Sequence, residues 1–265
     1  MNILYIGDIM GAVGVEVVEA ILPGLKQKHP IDFVIAQSEN VTDGRGMSLQ
    51  DMQTLQSAGI DFFTGGNWSL FRDGVLTDEH PVIRPANYPE GTPGVGYKRI
   101  DHATGSVLIV SLLGKIVGKD AEKPSKNPLQ VIDDILRVEK DNANVVVVNF
   151  HGDYSSEKRV IGYYLDGRVS AVIGDHWHVP TADAMVLPKG TAHITDVGMC
   201  GVLHSSLGVK SSVIIDRWLT GKASRNELET EGPRQFNALL VDVDNISGLA
   251  SSIQHIQKIF SKDSQ

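Results

Sequence analysis

The sequence predicts an α/β fold, and three observations carry that expectation. Short β-branched and aromatic runs bounded by glycine read as buried strands. Up to Thr64 they alternate with helical patterns in the order strand, helix, strand, helix, strand. Five of the runs end in side chains that can bind a metal. Ile3–Ile6 leads into Gly7-Asp8, Phe33–Ala36 into Ser38-Glu39-Asn40, and Ile60–Phe63 into Gly65-Gly66-Asn67. Val145–Phe150 leads into His151-Gly152-Asp153, and Val169–Ile173 into Gly174-Asp175-His176-Trp177-His178. Residues just past strand ends share one edge of a sheet, where α/β proteins build their sites.

Each element has its own signal. Gly14 to Lys28 carries Val17, Val18, Ile21 and Leu25 at helical spacing, with Pro23 expected to kink or shorten the helix. Ser48-x-x-Asp51 ahead of Met52 and Leu55 resembles a capping box with Asp in place of Glu. Trp68 to Arg99 is rich in Pro, Gly and Asp and reads as a loop-rich insertion at about 68–100 within one domain spanning 1–265. Ser106–Leu112 reads as a strand. Asn127-Pro128 reads as an N-cap and first-turn proline, followed by Leu129, Ile132, Ile135 and Leu136 on one face.

The second half reads as β-rich. Strands are expected at Val145–Phe150, Val160–Tyr164, Val169–Ile173, His193–Asp196 and Phe236–Val243. Helices are expected at Ser211–Leu219 and about Ile246–Phe260, the last with Leu249, Ile253, Ile256 and Phe260 as its buried stripe. Ser224–Arg234 is polar and reads as a loop. No internal repeat is found, and the two halves are expected to form two strand layers with helices outside.

Composition narrows the function classes. The chain has 265 residues, 42% of them hydrophobic and 21% charged, ample for a packed core. A single cysteine, Cys200, excludes an internal disulfide and suits a reducing cytoplasm. No secretory signal is expected from the first residues, and no apolar stretch comes near the ~20 residues of a membrane span. A net charge of −8 argues against a broad surface for duplex nucleic acid but leaves room for a small phosphorylated substrate. The expected partners are therefore a small phosphoester or nucleotide and further copies of the chain.

Two carboxylates, two asparagines and three histidines at strand ends describe a two-metal centre: Asp8, Glu39, Asn40, Asn67, His151, His176 and His178. Each has a plainer reading. Asp8 could cap a helix, Glu39-Asn40 could be turn residues before Thr42-Asp43-Gly44, and Asn67 could be a left-handed turn residue. The histidines are the stronger signal. In an extended segment His176 and His178 face the same way, and His151 follows the most apolar strand. The other six, His29, His80, His102, His193, His204 and His255, are assigned to structure or surface. A mixed oxygen and nitrogen donor set suits Mn or Fe, and also Zn, better than Ca or Mg. Glu39, with the longer arm, is the expected bridge between the ions.

These residues resemble the calcineurin-like metallophosphoesterases, and among them the YmdB-like bacterial phosphodiesterases. The likeness extends through Arg84-Pro85-Ala86-Asn87-Tyr88-Pro89, Gly91-Thr92-Pro93-Gly94, Ser156-Glu157-Lys158, Thr181-Ala182-Asp183 and Ile194-Thr195-Asp196-Val197-Gly198-Met199. It runs from Met1 to about Val209. The resemblance implies a four-layer αββα sandwich of two mixed sheets with a dinuclear centre and bridging hydroxide between them. It assigns Asp8, Glu39, Asn40 and His178 to one metal, and Glu39, Asn67, His151 and His176 to the other. The wider family has Asp-x-His at the first strand, whereas Met10 stands here and Asn40 takes the histidine's place, as in the YmdB-like branch. The substrates implied are 2′,3′-cyclic and 3′,5′-cyclic nucleotides.

The chain departs from the pattern beside the ligands. Trp68 replaces the expected general-acid histidine after Asn67. Thr-His-Thr-His becomes Asp175-His176-Trp177-His178, and Ala-Glu-Ala-Thr becomes Gly152-Asp153-Tyr154-Ser155. Asp153 and Asp175 are the candidate replacement acids. The leading reading is a phosphodiesterase acting on a small phosphoester. A second has Trp68 and Trp177 as a stacking wall for a base, with ordinary packing of both rings as its plainer counterpart. A third is a metal-binding regulatory protein with weak or no turnover.

Overall fold

The computed structural model describes residues 1–115, 117 and 126–261. In chain order the elements are β1 (Asn2–Ile6), β2 (Asp8–Ile9), α1 (Gly11–Lys28), β3 (Phe33–Gln37), α2 (Leu49–Ala58), β4 (Phe62–Thr64), β5 (Tyr97–His102) and β6 (Gly105–Leu113). Then come α3 (Pro128–Glu139), β7 (Val145–His151), α4 (Ser155–Leu165), β8 (Ala171–Asp175), β9 (Met185–Val186), β10 (Ala192–Ile194), β11 (Met199–Val202), α5 (Ser211–Thr220), β12 (Arg234–Val243) and β13 (Ala250–Phe260).

Two mixed sheets stack face to face. One runs β2-β11-β12-β1-β3-β4, with β13 paired to β12 along its length, and the other runs β5-β6-β7-β8-β10-β9. Period-two alternation sorts each strand between two cores. In β1, Ile3 and Tyr5 enter the core between the sheets, while Leu4 and Ile6 pack under α1 and α2 with Val17, Leu22 and Leu55. In β7, Val145 and Val147 face the inter-sheet core, while Val146 and Val148 pack with Ile132 of α3 and Ile161 of α4. Three apolar interfaces separate four layers, so the fold is the αββα sandwich. The inner strands are buried on both faces and therefore read as continuous apolar runs.

The local signals act as their chemistry requires. Ser48 Oγ accepts the Asp51 N–H at 3.1 Å and donates to the Asp51 carboxylate at 2.9 Å, so Ser48 caps the helix, but its backbone N–H goes to Thr42 Oγ1 at 2.8 Å and the reciprocal bond of a capping box is not made. Asn127 Oδ1 accepts the Leu129 N–H at 3.0 Å, with Pro128 in the first turn of α3.

Several expectations are corrected. Pro23 does not shorten α1, which runs on to Lys28. Pro23 and Glu19 both lie on the solvent face, so the carbonyl that loses its donor meets water. Val160–Tyr164 is not a strand but part of α4, whose buried stripe is Lys158, Ile161, Gly162 and Leu165. That stripe has helical spacing and is headed by a lysine, which disguises it. Ile246–Phe260 is not a helix. Its residues 250–260 form β13, in which Ile253 joins the core between the sheets while Ile256 and Phe260 join the core beneath α1. Apolar residues on both faces of a strand can mimic a helical stripe. The turn at Asp244–Leu249, where the Asp244 carboxylate accepts the N–H groups of Ile246 and Ser247, makes the hairpin. The two sheets are also not the two halves of the chain: the first is built from both ends, the second from the middle. The loop-rich stretch ends earlier than expected, because β5 begins at Tyr97.

Candidate metal centre

The sheets bring all five chemistry-bearing strand ends to one edge. β1, β3 and β4 lie side by side and parallel, so Asp8, Glu39 with Asn40, and Asn67 emerge together. β7 and β8 are parallel neighbours in the facing sheet and deliver His151 and the turn carrying His176 and His178.

Glu39, His151 and His176 each offer a ligand atom within 4.8 Å of the others. His151 Nε2 lies 2.8 Å from Asn67 Oδ1 and 3.1 Å from Glu39 Oε1, while its Nδ1 lies 2.7 Å from Asp175 Oδ1. Three oxygen acceptors thus face a ring that, when neutral, has one N–H to give. In the ion-free chain burial pulls the imidazole pKa down, but the Glu39 and Asp175 carboxylates outweigh it and push it well above its usual range. A cation facing Nε2 would satisfy the same acceptors. Gly66 allows this approach: a Cβ there would sit 2.3 Å from Glu39 Oε2 and 2.6 Å from the His151 ring.

The other corner holds Asp8, Asn40 and His178. His178 Nε2 lies 3.8 Å from Asp8 Oδ1, and its Nδ1 donates to the Leu207 carbonyl at 3.2 Å. That bond fixes the tautomer with the Nε2 lone pair toward Asp8. Burial lowers the His178 pKa to about 4, so the ring is neutral at ordinary pH. Asp8 is fully buried, and burial together with the nearby Asp175 carboxylate pushes its pKa well up. Asn40 spends its amide N–H on the Gly44 carbonyl at 3.0 Å.

Whether metals suit this site is decided by the unpartnered atoms. Among the described residues, five buried side-chain polar atoms lack a hydrogen-bond partner. Three of them, Asp8 Oδ1, Asn40 Oδ1 and His176 Nδ1, belong to the expected ligands. Leaving such atoms buried and unpaired costs about 1–3 kcal/mol each. Oxygen and nitrogen lone pairs turned inward fit a cationic guest.

His176 and His178 are not in an extended segment. Both have left-handed backbone, φ 101° and 63°, in a turn after β8. That turn is held by Asp196 and Lys158, which the sequence offered only as parts of the family pattern, with no role attached. The Asp196 carboxylate accepts the Trp177 N–H at 2.9 Å, and the buried Lys158 ammonium donates to Asp196 at 2.9 Å and to the Asp175 carbonyl at 2.6 Å. Asp175 is wholly buried. It accepts Tyr5 O–H and Gln37 Nε2, each at 2.9 Å, and Asn149 Nδ2 at 2.5 Å. Asn149, a polar residue inside the run Val145–Phe150, was the available signal.

Of the non-ligand candidates, Asp153 stands on the rim with its carboxylate 2.9 Å from His176 Nε2. Trp68 donates its backbone N–H to Glu39 Oε2 at 2.9 Å. Its ring lies beneath the Arg45 guanidinium, 4.4 Å from the ring centre, and edge-on to Phe71. The Trp177 ring carries the Lys158 ammonium at 4.1 Å, and its N–H donates to the Asp153 carbonyl. That contact makes Trp177 part of the packing around the turn rather than an open wall.

A four-layer sandwich with this donor set at one sheet edge has the fold of the metallophosphoesterases. The chain belongs to the YmdB-like protein family, whose pattern matches residues 4–256. It is 35% identical over 259 residues to the 2′,3′-cyclic-nucleotide 2′-phosphodiesterase of Bacillus subtilis (strain 168), covering 97% of this chain and 96% of that protein. A crystal structure of a novel phosphatase from Mycoplasma pneumoniae superposes with a TM-score of 0.91 at 29% identity, covering 98% of this chain and 93% of that one. A hypothetical protein from Thermus thermophilus superposes with a TM-score of 0.89 at 36% identity, covering 98% of this chain and 99% of that one.

Proposed function

We propose that the chain is a metal-dependent phosphodiesterase that hydrolyses a small phosphoester, with 2′,3′-cyclic nucleotides as the first candidate substrates and 3′,5′-cyclic nucleotides as the second. One observation carries the metal reading: buried, unpartnered side-chain atoms lie on Asp8, Asn40 and His176, and His176 offers a ligand atom within 4.8 Å of those of Glu39 and His151. The activity of the Bacillus relative supports the substrate class.

Asp8, Glu39, Asn40 and His178 would hold one ion, and Glu39, Asn67, His151 and His176 the other. Fe and Mn suit this donor set best, with Zn as a further option. Bound ions would supply an activated water and neutralise phosphoryl charge in an in-line displacement. The chain's own residues do the rest. Asp175 orients the His151 ring, and the Leu207 carbonyl orients His178. Lys158 and Asp196 fix the turn between β8 and Pro180. Asp153 is the proton donor this geometry favours, because it stands on the rim. The buried Asp175 carboxylate touches the ligand set at His151 and has no open face toward a substrate. The reading extends to a cytoplasmic homo-oligomer, supported by the exposed Trp218 and Leu219 on α5.

Elemental analysis of protein purified without chelator tests the reading directly. It should find about two transition-metal ions per chain. Hydrolysis of bis-p-nitrophenyl phosphate and of cyclic nucleotides should vanish with chelator and return with Mn²⁺. No metal uptake on adding Mn²⁺ or Fe²⁺ sinks it.

A second reading, a metal-loaded regulatory protein with slow turnover, draws on Trp68. A positioned general acid contributes ~10²–10⁴-fold, and the tryptophan has no proton to give a leaving ribose oxygen. Trp68→His should therefore raise the kcat for cyclic nucleotides more than for aryl esters, which leave without a proton. If instead Asp153→Asn is damaging and Trp68→His changes neither rate, Asp153 already serves as the acid.

A further inference from the structure

The mouth of the centre carries a group that metal binding does not explain. Arg45 is exposed, and among the described residues its guanidinium makes no ion pair or hydrogen bond. The nearest carboxylate in its loop, Asp43, pairs with Arg72 at 2.9 Å instead. Arg72 also donates to the Arg45 carbonyl at 2.9 Å, fixing the backbone beneath it. The guanidinium itself lies over the Trp68 ring, 4.4 Å from its centre, and 5.6 Å from the centre of the Phe71 ring. Phe71 is 51% exposed although it is a large apolar side chain.

This cluster is tied to the centre at both ends. Trp68 follows Asn67 and gives its N–H to Glu39. Gly44, just before Arg45, holds the Asn40 amide, and Gly46, just after it, donates its N–H to the Glu39 carbonyl. The position of the three side chains is therefore set by the same residues that would hold the ions.

A planar cation held over an aromatic ring at the surface, with no ion pair of its own, can present its plane to a further ring. Nucleic bases stack on guanidinium planes and on aromatic rings whatever their sequence, because every base has a π-face. A phosphoester lacking a base would have no use for such a surface. We infer that Arg45, backed by Trp68 and flanked by Phe71, is the shelf that receives the base of a nucleotide substrate. The inference rests on the phosphodiesterase reading and names the part of the substrate lying outside the metal centre. It also gives Trp68 a role distinct from the acid it replaces: it supports Arg45.

Binding to the Mn²⁺-loaded full chain tests this without turnover. The probes are inorganic phosphate and adenosine 3′-monophosphate, titrated by calorimetry into wild type, Arg45→Met and Phe71→Leu, with metal content measured for each. Wild type should bind the nucleotide at least tenfold more tightly than phosphate. Each variant should weaken the nucleotide about five- to tenfold, in line with a lost stacking contact, and leave phosphate and metal content unchanged. Equal weakening of both probes by Arg45→Met would make Arg45 a phosphate contact and overturn the shelf. Wild-type affinity equal for both probes, or variants equal to wild type, would overturn it as well. A chain that takes up no Mn²⁺ fails the phosphodiesterase reading instead, and that failure shows in the metal analysis before any probe is added.

Discussion

The two corners of the centre are finished to different degrees. Around His151 every ring nitrogen has a partner, and the carboxylate behind it is itself held by Tyr5, Gln37 and Asn149. Around Asp8 two oxygens, Asp8 Oδ1 and Asn40 Oδ1, are buried with nothing to bind. The first corner leaves a single buried atom unpartnered, His176 Nδ1. The second is shaped for something the protein does not supply. Outer partners that fix ligand orientation raise metal affinity, so the His151 corner should fill first and the Asp8 corner only at higher metal concentration.

The largest effect should come from the residue both corners share. Glu39→Ala removes the carboxylate that lies 3.1 Å from His151 Nε2 and takes the Trp68 N–H. Elemental analysis should find both ions lost and hydrolysis at background. His151→Ala should lose one ion, and His178→Ala the other. A Glu39→Ala chain that keeps one full equivalent would show the corners to be independent and break the comparison.

A smaller effect is expected one layer out. Asp175→Asn puts an amide N–H where Tyr5, Gln37 and Asn149 all donate, and takes the anion from His151. Loss of such a partner costs ~10–100-fold in metal affinity or activity. The loss should fall on the first ion to bind, while the Asp8 corner should not weaken, because removing the Asp175 charge relieves the raised Asp8 pKa. Metal titration with a chelating competitor separates the two. Equal loss at both corners would mean that Asp175 supports the sheet edge as a whole.

How much of this was legible in the sequence follows from what each residue touches. All seven expected ligands emerge at one edge, because each follows a buried apolar run that could only be a strand with its end there. The residues behind them were hidden for the same reason. Gln37, Asn149 and Tyr5 lie inside apolar runs, and their partner Asp175 is met only when β1, β3, β7 and β8 are stacked. Lys158 stood in the sequence only as part of the Ser156-Glu157-Lys158 pattern, and its role was hidden because its partner Asp196 lies 38 residues away. The misread β13 failed differently: its isoleucines face two cores, which a single helical stripe imitates. Trp68 was legible as a departure, but its partner Arg45 was not, since nothing in the chain order brings positions 45 and 68 together.

The smallest expected effect tests the comparison through protons. In the ion-free chain the His151 pKa lies well above its unfolded value near 6.5, because Glu39 and Asp175 outweigh burial. The stabilisation from that proton is fully present below about pH 6.5 and is lost as pH rises through the raised value. His178 runs the opposite way. Its pKa falls to about 4, so the unfolded chain binds the extra proton, and stability declines as pH drops from about 6.5 toward 4. A metal must displace the proton at His151 and finds none at His178. Affinity at the first corner should therefore fall about tenfold per pH unit below the raised pKa, while at the second the proton to displace sits on Asp8, whose pKa burial and Asp175 also raise, and His178 adds no pH dependence of its own near neutrality. Titrating Mn²⁺ into stripped protein in two buffers of different ionisation enthalpy reads the difference as about one proton released with the first ion. His178→Ala should keep that release and His151→Ala should abolish it. Release with the first ion that survives in His151→Ala would place that proton elsewhere than on His151.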